Sequence, residues 1–379
     1  MRRPTVATVS LPAIAGNLKA IAGLLESGRP ADRPAPGIIA VVKANAYGHG
    51  AASVALALEH AGAAMLACAD IEEGVTLRDA GVTIPILVFG ALSVSDLDGV
   101  FTHRLTPTVS TPGAARALEE AAARHDTRLA CHLKIDTGMN RLGFRHDNLR
   151  RTLPAVLESP HLSFDAVYTH FATADVPESA FMDEQRSRFD RAVAALGSLG
   201  LRGLRRHAAN SAALLRDTRT WGDWVRPGLL LYGIVPPPLA ASGLDLCPAL
   251  SLSSRIVAVK GVRAGEGIGY GLRWSADAPP TIAIVPAGYA DGLDTRASGR
   301  TSVLIRGRRQ PIVGAVSMDM IAVDVTGRDV SPGDDVVLIG RQGAEEITAR
   351  EIAAAIGSIA WEVLCRLGSR VERVYESSN

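Results

Sequence analysis

A chain of 379 residues, 47% hydrophobic and 21% charged, has the makeup of a globular protein and the length of two domains. Forty basic against 39 acidic residues leave a net charge of +1, which excludes the one-signed field that nucleic acid or an anionic membrane requires. The four cysteines (Cys68, Cys131, Cys247, Cys365) lack metal-ligand spacing, no apolar run reaches membrane-spanning length, and no signal-peptide core follows Met1-Arg2-Arg3, so a cytoplasmic protein without metal or disulfides is expected.

The first 240 residues alternate strand and helix. Ser10 and Pro12 open a helix whose apolar face is Ile14, Leu18, Ile21 and Leu25. The run Ile38 to Val42 reads as a strand buried on both faces, ending at Lys43 and the turn Ala44-Asn45-Ala46-Tyr47-Gly48-His49-Gly50. A helix from Ala51 closes at Gly62, and another over 71–80 closes at Gly81. Further strands are expected over 63–69, 85–89, 105–109, 129–135, 164–168, 204–207 and 224–232. Helices are expected over 112–124, 148–157, 184–199 and 211–216.

Eight strands alternating with helices predict a (β/α)8 TIM-type barrel. An open doubly wound sheet is the alternative, but a lysine turn stands where such a sheet keeps its glycine-rich loop. In a barrel the polar oddities collect at the carboxyl ends of strands. They are Lys43, the cluster Lys134, Asp136 and Arg141, then His170, Asn210 and Ser211, and Arg226. Each has a plain reading, such as Asn-Ser as a helix cap or a lysine as a solvated ammonium. Lys43 has a second reading, an amine of lowered pKa ready to condense with an aldehyde.

The prolines 236–238 act as a stiff linker, after which the period becomes two. Alternation over 250–259, 281–285, 301–305, 321–325 and 336–339 predicts a mostly antiparallel β domain, with one late helix from Ala349 to about Leu367 capped by Thr348. The strand-like 5–9 is expected to pair with this domain. The expected domains are 10–238, and 239–379 with 1–9. Tyr270 between glycines, Tyr289 and Met318 are polar or exposed features without a clear packing need.

The series lysine turn, LKIDTGMNRLG, YTHFATAD, HAANSA, VRPGLLLYG, GYG, GYADG and SMD resembles alanine racemases over essentially the whole chain. The resemblance implies that Lys43 holds pyridoxal 5'-phosphate as a Schiff base. Lys43 and Tyr270 of a second subunit would then be the two acid/bases that interconvert L- and D-alanine, supplying D-alanine for peptidoglycan. It implies cofactor contacts from Tyr47, His170, Asn210, Ser211, Arg226, Gly228, Leu229 and Trp361. Arg141, Met318 and Tyr289 would contact substrate, and Lys134 would be a carbamylation site. A homodimer with shared sites follows, with no nucleic-acid or membrane partner. Trp361 stands where tyrosine is usual, and Asn140 where glycine is commoner. A racemase for another small amino acid such as serine, a decarboxylase, and a pyridoxal-phosphate carrier without catalysis are the competing readings. Arg226 weighs against decarboxylation, and the β domain weighs against the carrier.

Overall fold

The computed structural model describes residues 3–90, 92, 96–236, 239 and 243–377. Pro237 and Pro238 of the proline run lie outside the described residues, as do Met1 and Arg2. The chain divides into two compact units. One is Ala13–Ala46 with Ala51–Cys247; the other is Met1–Pro12, Tyr47–Gly50 and Pro248–Asn379.

The first unit is a closed barrel. Eight parallel strands pair in chain order: Gly37–Val41, Met65–Cys68, Ile86–Val88, Thr106–Val109, Leu129–Asp136, Leu162–Tyr168, Arg205–Asn210 and Trp224–Arg226. The last returns to the first, with Val225 opposite Ile38. Ile39, Ala40, Leu66, Ala67, Ile86, Leu87 and Val88 are fully buried, as strands covered on both faces by barrel interior and helices must be. Two of the intervening helices stop at the expected glycines, and a third carries a side-chain cap. Thr111 caps Pro112–Arg124 through the Ala114 amide, and Gly62 and Gly81 take φ of +102° and +99° after their helices. Among the described residues no helix is long and apolar enough to cross a membrane.

Two expectations in this unit are corrected, and one short helix was not foreseen. Residues 224–232 are not one strand: Pro227 has no N–H to give a ladder, so the strand stops at Arg226 and Leu229–Tyr232 coils into a 3-10 turn. The helix expected over 148–157 is two short turns, Leu149–Thr152 and Pro154–Leu157, because Pro154 interrupts the hydrogen bonding. The helix Asp98–Thr102 was not foreseen, being too short to show a period.

The second unit is a sheet in the order Ala258–Gly261, Thr281–Val285, Ile321–Asp324, Arg308–Val313, Ser302–Ile305, Asp335–Gln342, Leu250–Arg255, Val6–Ser10 and Glu372–Glu376. Its pairings are antiparallel except the outermost. The amino-terminal strand joins this sheet, between Leu250–Arg255 and the parallel strand Glu372–Glu376. The expected strand over 250–259 breaks in two around Ile256. The late helix also splits: Gly357 at φ +66° ends Ala349–Ile356, and Ala360–Cys365 starts anew.

Candidate active site

The barrel's first strand delivers Lys43 into a backbone of unusual hand. Ala44, Asn45, Ala46 and Tyr47 have φ of 54°, 53°, 54° and 51°, four successive non-glycine residues in the left-handed region. Each costs about 1–2 kcal/mol relative to the right-handed form. Such a run persists only where its surroundings hold it, and strain of this kind gathers at functional sites. The holding bonds are short. Ala44 N–H donates to Glu73 Oε1 at 2.6 Å, Ala51 N–H to Asn45 Oδ1 at 2.8 Å, and Ala46 N–H to Val42 O at 2.8 Å.

Arg226, at the end of the eighth barrel strand, is buried and locked from several sides. Its Nη1 donates to His207 Nδ1 at 2.9 Å and His207 O at 2.7 Å. Its Nη2 donates to Thr169 O at 2.7 Å and Ala208 O at 3.0 Å, and approaches His170 Nδ1 at 3.5 Å. A guanidinium only donates, so His207 Nδ1 is an acceptor and its Nε2 carries the proton. That proton is donated to His132 Nδ1, 3.0 Å away. Both imidazoles are neutral. Burial and then Arg226 push His132 down to about 4 and His207 well below its usual value. Tyr168 stacks on His207, ring centres 4.6 Å apart, and Trp224 stacks on His132 at 5.7 Å. Burial lowers Arg226 itself only to about 10, so it stays a cation at neutral pH. With both Nη atoms spent, Nε is the guanidinium N–H without a partner among the described residues.

Lys134, Asp136, Arg141 and His170 line one cleft. Lys134 is buried, and burial, Arg141 and Arg226 bring its pKa down to about 8. Burial, Arg226, Lys134, Arg141 and Lys43 hold His170 neutral, far below its ordinary value. The cleft is thus crowded with positive charge. Asp136, the carboxylate opposing it, already accepts the Gly138 and Asn140 amides at 2.9 and 3.1 Å. Asn140 takes φ +54°, a left-handed backbone that asparagine tolerates. Gln185 braces the floor, donating to Thr137 Oγ1 and His170 O and accepting from Ala172 N–H.

Of the expected cofactor contacts, Asn210 acts here as the helix cap, its Oδ1 taking the Ala213 amide at 2.9 Å. The Gly228 amide donates to Ser211 Oγ at 3.0 Å. Leu229 opens the 3-10 turn, where the first N–H groups lack intrahelical partners. In the second unit Tyr47 is held as a neutral phenol, its pKa raised by burial and then by Cys365. Trp361, half-buried, sits in the helix Ala360–Cys365. Tyr270 stands between Gly269 and Gly271, both at positive φ, and is 76% exposed. Tyr289 and Met318 lie together: Tyr289 N–H donates to Ser317 O and Ala290 N–H to Met318 O. Asp291, fully buried, ties this loop to Arg370, which also reaches Asp319 and Met318 O.

The residues sequence reasoning missed are His132, His207, Tyr168, Glu73 and Gln185. His132 and His207 lie 75 positions apart and acquire a role only when two strands of the closed barrel bring them into contact. An inward-facing polar residue in an otherwise apolar strand was the available signal.

The profile of the alanine racemase N-terminal domain matches residues 9–236, and that of the alanine racemase C-terminal domain matches residues 249–375. An alanine racemase of Symbiobacterium thermophilum is 41% identical, covering 98% of this chain and 97% of its own. One of Carboxydothermus hydrogenoformans is 42% identical over 98% and 100%. The crystal structure of alanine racemase from Streptomyces lavendulae superposes with a TM-score of 0.93 at 33% identity, over 100% of this chain and 98% of that one. With both domain profiles matched in order and relatives aligned end to end, the chain belongs to the alanine racemase family.

Proposed function

We propose that this chain interconverts L- and D-alanine with pyridoxal phosphate, in a homodimer whose sites each combine Lys43 with the partner subunit's Tyr270. Family membership supports the isomerase class. Within the chain, the supporting observation is Arg226, a buried cation with one N–H left to donate. When bound, the cofactor supplies the electron sink that makes the α-proton of an amino acid acidic. Arg226 keeps its own proton, so it would not protonate a cofactor nitrogen that it faced and would restrain that sink, which would favour racemisation over decarboxylation. The crowd of cations around His170 suits an anionic cofactor and a substrate carboxylate.

Lys43, at the strand end, would bind the cofactor and then move a proton at one face of the α-carbon. Tyr270, uncovered by its own chain, would serve the opposite face. Two fixed groups do this better than one that must swing. Tyr47, Ser211 and the Leu229 amide would hold the phosphate, with Asn210 and Gly228 shaping that pocket through their bonds to Ala213 N and Ser211 Oγ. Trp361 offers an indole N–H where a phenol is usual. Arg141 and the partner subunit's Met318 would take the carboxylate, with the partner's Tyr289 beside it. The proposed domain bounds are 10–238 and 239–379 with 1–9, and the proposed use of the product is D-alanine for peptidoglycan. The deciding experiment is a panel of L-amino acids scored for the D form. Alanine is expected to be converted first. Preferential conversion of serine, or of none, would overturn the substrate assignment.

Lys134 is proposed to carry a carbamate. A pKa near 8 leaves a share of neutral amine at physiological pH, and that amine adds carbon dioxide; the resulting anion relieves the repulsion from Arg141. Intact mass at neutral pH, without acid, is expected to show one added carbon dioxide, lost in Lys134→Ala. A parent chain of unmodified mass would count against it.

A further inference from the structure

We infer that Glu73 is a positioning residue for Lys43: its carboxylate clamps the left-handed turn that carries that lysine. Glu73 is the third residue of the helix Ile71–Asp79, which Asp70 caps by accepting the Glu73 amide at 2.9 Å. In an Asp-x-x-Glu start, that glutamate ordinarily turns back to the amide of the capping residue. Here its two oxygens go elsewhere. Oε2 accepts the Ala69 amide at 2.7 Å and Oε1 accepts the Ala44 amide at 2.6 Å. Ala69 directly follows the second barrel strand, and Ala44 directly follows Lys43 at the end of the first. One carboxylate therefore bridges two adjacent strand-to-helix loops on the barrel's carboxyl face. Charge-assisted bonds to backbone amides are among the stronger ones a protein makes. This pair grips the first residue of the left-handed run, where the backbone most needs holding. The helix does not need the carboxylate for its own start, since Asp70 already supplies the cap.

The inference rests on reading Lys43 as the cofactor-bearing lysine for one of its two readouts only. The first uses the cofactor-free chain. Amide hydrogen exchange in a peptide spanning residues 43–50 is expected to quicken about tenfold or more in Glu73→Ala, while peptides within 71–79 stay as in the parent. Glu73→Gln keeps the shape and one acceptor but places an NH2 against a backbone N–H, so a smaller quickening is expected. Glu72→Ala, an exposed neighbour, is the control and should match the parent. The second readout adds pyridoxal phosphate. The visible band of the lysine-bound cofactor should form about tenfold more slowly in Glu73→Ala, and kcat should fall with KM for alanine little changed. Parent-like exchange over 43–50 in Glu73→Ala would overturn the clamp. Failure of both variants to fold would also do so, assigning the carboxylate to the barrel's stability instead. If the parent itself never develops the visible band, the reading of Lys43 falls, and the exchange result still decides what Glu73 holds.

Discussion

Lys43→Ala is expected to leave a folded chain with no interconversion of alanine and no visible cofactor band, whereas Tyr270→Phe is expected to keep the band and lose roughly 10²–10⁴-fold in rate. The two losses differ because the groups differ in kind. In the proposed site Lys43 would be both attachment point and proton carrier. Tyr270 is a phenol on a turn between two left-handed glycines, with no cover from its own chain. Truncating its hydroxyl removes a proton carrier and little else. Because the proposed site draws on two copies, mixing the two inactive variants should regenerate intact sites. Random exchange makes half the dimers mixed, each with one complete site, so about a quarter of the parent activity should return. A fully active Tyr270→Phe, or no recovery on mixing, would overturn the shared two-base arrangement.

Gly48→Ala is expected to destabilise the second unit by about 4 kcal/mol or more. Gly48 has φ +83°, and a Cβ there would stand 2.2 Å from the Leu364 carbonyl oxygen. That atom is backbone and cannot rotate away. Gly62→Ala separates the two causes. It has φ +102° with nothing within 4 Å of the added carbon, so it tests backbone hand alone and should cost about 1–2 kcal/mol. Denaturant melts of the two variants without cofactor make the comparison. Equal losses would mean that the Leu364 contact relaxes freely. Displacement of the neighbouring Tyr47 should also weaken cofactor binding in Gly48→Ala but not in Gly62→Ala.

The barrel was legible because buried parallel strands are short apolar runs between helices with clear caps, and Thr111, Gly62 and Gly81 behave as their chemistry dictates. Errors arose where an apolar run continued past a break in hydrogen bonding. Leu229 to Tyr232 look like strand, but Pro227 had already ended the ladder. Arg308–Val313, paired on both sides, was missed for the opposite reason: Arg308, Arg309 and Pro311 mask its buried positions. In the site, strand-end cations such as Lys43, Lys134 and Arg226 stood out by their charge against apolar surroundings. Glu73 did not, because a glutamate in a first helical turn has an ordinary local purpose, and its bond to Ala44 spans 29 residues. Nor does sequence reveal that four residues after Lys43 run left-handed, since Ala44 and Ala46 have no intrinsic liking for that backbone.

The amino-terminal strand Val6–Ser10 lies between Leu250–Arg255 and the carboxyl-terminal strand Glu372–Glu376. During synthesis Val6–Ser10 must therefore wait until the whole barrel has been made before either neighbour exists. The barrel segments, complete by about residue 226, are free to assemble during translation, while the sheet closes only once Glu372–Glu376 has been made. A product ended before residue 270 would carry Lys43 without Tyr270 and, under the proposed two-base arrangement, could not racemise alanine.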